Sequence, residues 1–181
     1  MKALIFDTET SGLVTNHTMA INKQPEIIEW YGALVDLEKQ TLLGELHRLI
    51  RPAEYPMTDK TIKDTKTQLS NELLKDCQTF SHHAAEIKQQ IETAPLVIAH
   101  NLSFDKEMTD IEYERLKQKV SWPQAMICSV EQTVHLLSRR LSLTDLHIQL
   151  FGEGFKEAHR AKNDTQALIR CCFKLYEMEM L

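Results

Sequence analysis

Glycine and proline are scarce in this chain, with five of each among 181 residues. No low-complexity or repeated segment is present either, which argues against long linkers and disorder. A glycine-rich phosphate loop is missing, so a dinucleotide-binding or nucleoside-triphosphate-binding fold has no support in the sequence. The hydrophobic share, 43%, suffices for one well-buried core and is short for two. We therefore expect a single domain over residues 1–181.

Cysteine is also sparse, and long apolar runs are missing. The four cysteines, at positions 77, 128, 171 and 172, lack the CxxC spacing of metal sites. We therefore expect reduced thiols in a cytoplasmic protein. The chain begins with a strand-like run at residues 3–6 instead of a basic stretch followed by a long apolar one. Neither a signal peptide nor a membrane span is predicted, and no membrane partner.

An excess of positive charge is missing as well, because the formal net charge is −5. A protein that binds nucleic acid through its own side chains usually carries a basic surface. An enzyme that gathers carboxylates around cations differs, since the metals supply positive charge that a residue count omits. Net charge therefore leaves nucleic-acid enzymes open.

Strand-like and helix-like segments alternate along the chain. The predicted strands cover residues 3–7, 26–36, 42–51, 96–99 and 125–129. Helices are predicted from the N-cap candidate Ser81, around Phe104, and at 130–138, 143–151 and 162–178. In the third strand, Leu42 is expected on the same face as Leu46 and Ile50. This order is typical of an α/β fold with a mixed five-stranded sheet and helices on both faces.

Two acidic residues close the first predicted strand. Asp7 and Glu9 stand two positions apart, so both carboxylates project from the same face. Adjacent acids raise each other's pKa, and a shared cation would keep both ionised. Ligands that are all oxygen suit Mg²⁺ or Mn²⁺. The alternative is an acidic pair that caps the turn at residues 10–12.

Two further acids lie at predicted helix starts. Asp105 falls in the first turns of a helix, where it could simply favour the helix dipole. Asp164 shares a helical stripe with Leu168 and Leu175, and an acid on a buried face needs a partner or a metal. His159 would face away from Asp164 on a continuous helix, so we place it on the preceding loop. On its own, such a histidine would be interpreted as a solvated loop residue.

Together, three segments carry a resemblance: FDTETSG at residues 6–12, HNLSFD at 100–105 and HRAKND at 159–164. They resemble the exonuclease motifs of the DEDDh family, which includes the proofreading subunit of bacterial replicative polymerases, ribonuclease T and oligoribonuclease. The resemblance covers residues 2–175 and implies a ribonuclease H-like fold. It also implies 3′→5′ hydrolysis of nucleic acid that releases nucleoside 5′-monophosphates.

By motif position, the resemblance assigns the metal-site acids and the general base. Asp7, Glu9, Asp105 and Asp164 would hold two divalent cations, Mg²⁺ or Mn²⁺, in a two-metal hydrolysis. His159 would take the proton from the attacking water, a role that suits imidazole, whose reference pKa is about 6.5.

The resemblance also suggests a substrate and its contacts. The expected substrate is the 3′ end of single-stranded nucleic acid, DNA in preference to RNA, and a polymerase or a second copy of the chain is a candidate partner. The family usually has a His-Gly-Ile type of turn that contacts the terminal nucleotide, whereas residues 63–67 read KDTKT, without glycine. The expected substrate contacts are Thr10, Leu13, His100, Asn101, Phe104 and Arg160.

Other functions remain open at this point. An exoribonuclease or oligoribonuclease of the same family is the nearest alternative. A haloacid-dehalogenase-type phosphatase would use Asp7 as nucleophile and Glu9 as acid, but it leaves His159 and Asp164 without a role. The third alternative is an inactive nucleic-acid-binding module, for which so many mutually repelling acids would have no use.

Overall fold

The computed structural model describes residues 1–54, 56–64, 69–155 and 159–181. The strands are β1 (Lys2–Thr10), β2 (Ile27–Asp36), β3 (Thr41–Leu49), β4 (Leu96–Ala99) and β5 (Ala125–Cys128). The helices are α1 (Asp59–Asp64), α2 (Asn71–Leu74), α3 (Phe80–Glu92), α4 (Leu102–Arg115), α5 (Ser129–Leu137), α6 (Leu143–Phe151) and α7 (Ala161–Glu177). A short 3-10 turn, Ile21–Lys23, interrupts the loop after β1.

The strands form one sheet in the order β3-β2-β1-β4-β5. β2 pairs antiparallel with β1 and β3, whereas β4 pairs parallel with β1 and β5. The prediction of a mixed five-stranded sheet is confirmed. β1 is longer than predicted because β2 pairs with it from Lys2 onward, with a register shift only between Glu9 and Thr10. Parallel β1 and β4 bring their carboxyl ends to the same edge of the sheet, where ligand sites of α/β folds form.

Both faces of the sheet are covered by helices, as predicted. Alternate residues of β1 point to opposite faces, so Leu4 and Phe6 pack with Trp30 in the core that α3 and α4 share. Ala3 and Ile5 pack in the core with buried residues of α7. Burial of a large apolar side chain contributes about 1.5–3 kcal/mol. The first strand is therefore fixed from both sides, and with it the acids at its end.

Two local predictions were wrong. Helix α3 begins at Phe80 with Thr79 as N-cap instead of Ser81, because Phe80 is buried and contacts the ring of Tyr113 at 5.4 Å between centroids. Leu42 is 54% exposed. A register shift places it opposite Val35, whereas Leu46 lies opposite Gly32, so the extra residue moves Leu42 to the other face.

Among the described residues, no helix has both the length and the hydropathy that crossing a membrane requires.

Gly32 of strand β2 lies against the side chain of Gln90 from helix α3. The amide of Gln90 donates a hydrogen bond to the Gly32 carbonyl (2.8 Å) and accepts one from the indole N–H of Trp30 (3.1 Å). A Cβ at Gly32 would lie 2.3 Å from Oε1 of Gln90, so Gly32→Ala should displace the amide and break both bonds. We expect a loss of about 1–3 kcal/mol in the free energy of unfolding.

Urea denaturation of the metal-free protein measures this loss. Gly44→Ala is the matched control on the neighbouring strand, since no atom lies within 4 Å of its added Cβ. It should change the free energy of unfolding by less than about 0.5 kcal/mol. Equal effects of the two substitutions would contradict the close approach of α3.

Candidate active site

Asp7 and Glu9 lie at the end of β1 on the face that α7 covers. Both are half-buried, and the apolar residues before them anchor the strand in the core. They share a face because residues two apart in a strand point the same way. The strand thus presents two carboxylates side by side, as the sequence predicted.

Helix α7 brings the third carboxylate, Asp164, from its first turn. The stripe predicted for this helix is confirmed, since Leu168, Cys171 and Leu175 are all buried. One carboxylate oxygen each from Asp7, Glu9 and Asp164 lies within 4.8 Å of the other two. Three hard oxygen ligands so close together are suited to a divalent cation.

Asp105 approaches from helix α4 and is only 2% exposed. Its Oδ1 accepts hydrogen bonds from the backbone N–H of Thr8 (3.1 Å) and from the Thr8 hydroxyl (2.8 Å). Among the residues that the structure describes, the three-carboxylate group does not include it. Asp105 therefore ties α4 to the strand between the other two acids, and its role as a metal ligand stays a prediction.

The pKa values of the four acids are all raised. Burial, followed by the charges of Asp105, Asp164, Glu9 and Glu29, raises the pKa of Asp7 well above its usual range. Burial and the charge of Asp164 raise the pKa of Glu9 to about 8. Burial raises the pKa of Asp105 to about 7 and that of Asp164 to about 6. A bound cation would remove this penalty by favouring the ionised carboxylates.

His159 is exposed and lies outside the helix, as the sequence predicted. Its backbone has a positive φ of 70°, and its backbone N–H donates to Oδ2 of Asp164 at 3.0 Å. The imidazole is thus carried by a short segment that is fastened to one of the three clustered acids. The exposed position of His159 makes its side chain accessible to water and substrate.

The sequence model of the exonuclease family RNase_T matches residues 4–172. The chain belongs to this exonuclease family. Its motifs are those of the DEDDh group of 3′–5′ exonucleases, whose members generally use divalent metal ions. This membership decides against the phosphatase alternative with Asp7 as nucleophile.

Sequence relatives of the exonuclease are much longer proteins. PolC-type DNA polymerase III from Staphylococcus saprophyticus is 28% identical over 166 residues, which is 91% of this chain and 10% of that protein. The PolC-type polymerase from Staphylococcus aureus is 27% identical over 176 residues, 96% of this chain and 11% of that protein. The chain spans about a tenth of the length of these relatives.

Solved structures establish the fold of the exonuclease. The nuclease domain of 3'hExo, a DEDDh family member bound to rAMP, is similar with a TM-score of 0.79 and 14% identity, covering 98% of this chain and 92% of that one. Exonuclease X in complex with 5′ overhanging duplex DNA has a TM-score of 0.65 and 16% identity, with 97% and 92% covered. The predicted ribonuclease H-like fold is confirmed.

A cavity of about 490 Å³ opens beside Glu9 of the exonuclease. Glu9, Thr10, Leu13 and Phe104 line it, and Leu13 is 70% exposed. Three of the six predicted substrate contacts, Thr10, Leu13 and Phe104, therefore lie together beside Glu9. The predicted departure from the family at 63–67 lies partly outside the described residues, which stop at 64 and resume at 69.

The other three predicted contacts are not among the residues that line this cavity, and their side chains form hydrogen bonds to other residues. His100 Nδ1 hydrogen-bonds to the hydroxyl of Ser129 (2.8 Å) and its Nε2 to the carbonyl of Leu141 (3.1 Å). Burial lowers the pKa of His100 to about 4. Asn101 accepts a hydrogen bond from Arg140. Their contact with substrate stays a prediction.

Arg160, the last of these contacts, points to a residue that the sequence analysis did not single out. Its guanidinium donates to both carboxylate oxygens of Glu29, and Glu29 is completely buried. The sequence does contain a signal for Glu29, because this acid stands within the otherwise apolar segment IIEWYGALV. A buried acid needs a partner.

The raised pKa values predict how the metal-free exonuclease responds to pH. In the folded protein, the pKa values of Glu9, Asp105 and Asp164 are about 8, 7 and 6, respectively. In the unfolded chain, the same carboxyl groups lose their protons near pH 4. The folded state therefore binds more protons over this range, and the free energy of unfolding should fall as the pH rises through it. Asp7→Asn removes a charge from the cluster and should make the fall smaller.

Urea unfolding with EDTA at about pH 5.5, 7 and 8.5 measures the difference between Asp7→Asn and the wild type, which isolates the cluster from other titrating groups. Asp76→Asn, at an exposed position, is the control and should follow the wild type. A wild-type protein that gains stability relative to Asp7→Asn as the pH rises would contradict the sign of these shifts.

Proposed function

We propose that the chain removes nucleotides from the 3′ end of single-stranded nucleic acid, with DNA preferred, and releases nucleoside 5′-monophosphates. The observation that carries this proposal is the approach of Asp7, Glu9 and Asp164 within 4.8 Å of one another, with His159 attached to Asp164. Family membership supplies the reaction class. We propose the direction of digestion, the substrate and the number of metal ions together with this reaction class.

The proposed cofactors are two divalent cations, Mg²⁺ or Mn²⁺. Asp7, Glu9 and Asp164 would hold one, and Asp7 would also contact the second. Asp105 would assist through a water or by keeping Thr8 in place. Bound cations lower the pKa of water and neutralise charge that develops on the scissile phosphate and the leaving 3′ oxygen. The all-oxygen donor set and the raised carboxyl pKa values support this fit.

The chain's own side chains would bind the terminal nucleotide and move the proton. His159 acts as general base and accepts the proton of the attacking water. The cavity beside Glu9 receives the terminal nucleoside, with Leu13 and Phe104 in contact with the base. Lys60 and Thr61 of α1 also line the cavity, and they take the place of the family's glycine-containing turn.

DNA is preferred in the proposal because the sequence relatives are DNA polymerases. A polymerase is accordingly the proposed partner, with a second copy of the chain as the alternative. RNA stays the second candidate substrate, since one structural neighbour was solved with rAMP. We propose a cytoplasmic location from the neighbouring free thiols of Cys171 and Cys172.

The proposal predicts metal-dependent digestion from one end. We expect 5′-labelled single-stranded DNA to shorten stepwise with Mg²⁺ or Mn²⁺, and 3′-labelled DNA to release labelled mononucleotide at once. Matched RNA should be digested more slowly, and EDTA should stop both reactions. Release of mononucleotide from the 5′ end would contradict the direction. Equal activity after chelation would contradict the metal site, and heat absent from a metal titration would favour the inactive module.

A second prediction concerns the general base. His159→Ala should lower kcat by roughly 10²–10⁴ while metal binding persists, because the imidazole acts in proton transfer. Steady-state digestion measures kcat, and calorimetry measures Mn²⁺ affinity. His82→Ala is the control, since His82 is exposed at the start of α3, on the opposite face of the sheet from α7. If His159→Ala kept wild-type turnover at every pH, the histidine would not be the base.

A further inference from the structure

Glu29 is a fifth acid near the site, on strand β2. It pairs directly opposite Glu9 in the antiparallel register of β1 and β2, so the two side chains lie on the same face. Its charge contributes to the raised pKa values of Asp7, Glu9 and Asp164. Among the described residues, however, it is not part of the group whose oxygens lie within 4.8 Å of one another.

Both carboxylate oxygens of Glu29 are occupied by hydrogen bonds. Oε1 contacts Nε2 of His47 at 2.7 Å and accepts from Nη2 of Arg160 at 3.0 Å. Oε2 accepts from Nε of Arg160 at 3.0 Å and from the backbone N–H of Ala161 at 3.1 Å. The fork of the guanidinium thus grips the carboxylate with two parallel bonds, the geometry that fixes orientation best.

These partners keep the buried carboxylate charged. Burial by itself would raise the pKa of Glu29, but the hydrogen bonds from His47 and Arg160 outweigh burial and lower it. Removing a partner of a buried ion pair leaves an uncompensated charge, which is costly. Glu29 and Arg160 therefore hold each other in place.

Glu29 contacts the residues at which helix α7 begins, Arg160 and Ala161. Arg160 occupies the N-cap position but makes no side-chain cap hydrogen bond, and the N–H of Ala161 is satisfied by Glu29 instead. A carboxylate at a helix N-terminus is favourable because it satisfies free N–H groups and complements the helix dipole. Glu29 thus caps a helix that lies 132 positions away in the sequence.

We propose that Glu29 is a positioning residue that sets the place of His159 through Arg160 and Ala161. His159 precedes this clamped pair directly, and its own N–H is bound to Asp164. Its φ of 70° is a strained conformation for a residue other than glycine, so it persists only where the surrounding contacts hold it. The inference rests on the proposed function, because it acts on the imidazole that serves as base.

The test is Glu29→Gln in the full chain. Glutamine keeps the size but removes the charge and one acceptor oxygen, so the clamp should loosen. We expect kcat on single-stranded DNA with Mn²⁺ to fall by about 10- to 100-fold, the cost of a small misplacement of a reacting group. KM and the calorimetric Mn²⁺ affinity should stay within about twofold of the wild type, because Asp7, Glu9 and Asp164 are retained.

Glu45→Gln is the matched control. Glu45 lies on β3, and its carboxylate accepts a hydrogen bond from the hydroxyl of Tyr31, whereas Glu29 bonds to Arg160 and Ala161. This variant should keep wild-type kcat. Equal kinetics of Glu29→Gln and Glu45→Gln would overturn the inference and leave the proposed function intact. A wild-type protein without metal-dependent digestion would overturn the proposed function.

A double-mutant cycle distinguishes positioning from a general loss of structure. If Glu29 acts through the imidazole, Glu29→Gln should lower the residual rate of His159→Ala by less than about twofold. Additive losses would overturn the inference. Should Glu29→Gln fail to fold by circular dichroism, Arg160→Lys replaces it in the cycle, because lysine keeps the charge but cannot grip both oxygens.

Hydrogen exchange of the metal-free protein gives a readout independent of activity. In the wild type, the amide of Ala161 is bound to Glu29 and that of His159 to Asp164. Glu29→Gln should raise the exchange rate of both amides by about tenfold or more, since local opening becomes easier. Unchanged exchange at both amides would show that the clamp does not hold this segment.

Discussion

The candidate site depends on one physical constraint, the electrostatic repulsion among carboxylates that lie together at one edge of the sheet. Asp7, Glu9 and Asp164 face one another across less than 4.8 Å, and burial together with mutual charge raises their pKa values. Such a group lowers the stability of the metal-free fold at neutral pH. A cation bound by these carboxylates would offset the repulsion, and stability and metal affinity would then depend on the same oxygens.

The sheet holds these acids in place by burying the residues just before them. Leu4 and Phe6 pack on one face and Ala3 and Ile5 on the other, which leaves β1 little freedom to shift. Asp105 adds a hydrogen-bonded link from α4 to Thr8, between the two acids of the strand. The cost of bringing charges together is thus offset by apolar burial nearby, and the site sits on rigid elements.

Helix α7 reaches the site through charged and polar contacts as well as apolar ones. Its stripe of buried residues fixes where the helix lies, whereas Glu29 and Arg160 fix where it begins. A buried ion pair is weak evidence of stability, because the cost of desolvating two charges offsets their attraction. The contact of Glu29 with Arg160 and Ala161 fixes the start of α7, and His159 stands directly before these two residues.

The sequence by itself determined the period of the main helices and strands and the candidate residues of the site. Apolar runs and helical stripes depend on local geometry, which is why the strand at 96–99 and the helix at 143–151 agree with Leu96–Ala99 and Leu143–Phe151. Local motifs likewise identified Asp7, Glu9 and Asp164 before their distance was known.

Only the tertiary structure decided which of these residues meet. The register of β2 against β1 placed Glu29 opposite Glu9, and packing brought it to Arg160, 131 positions along the chain. Tertiary packing also placed His100 in hydrogen-bonding contact with Ser129 and Leu141. The register shift between β2 and β3 placed Leu42 on the opposite face of the sheet from Leu46. Such contacts depend on strand register and helix packing over long sequence separations, and the periodicity of a single segment carries no information about either.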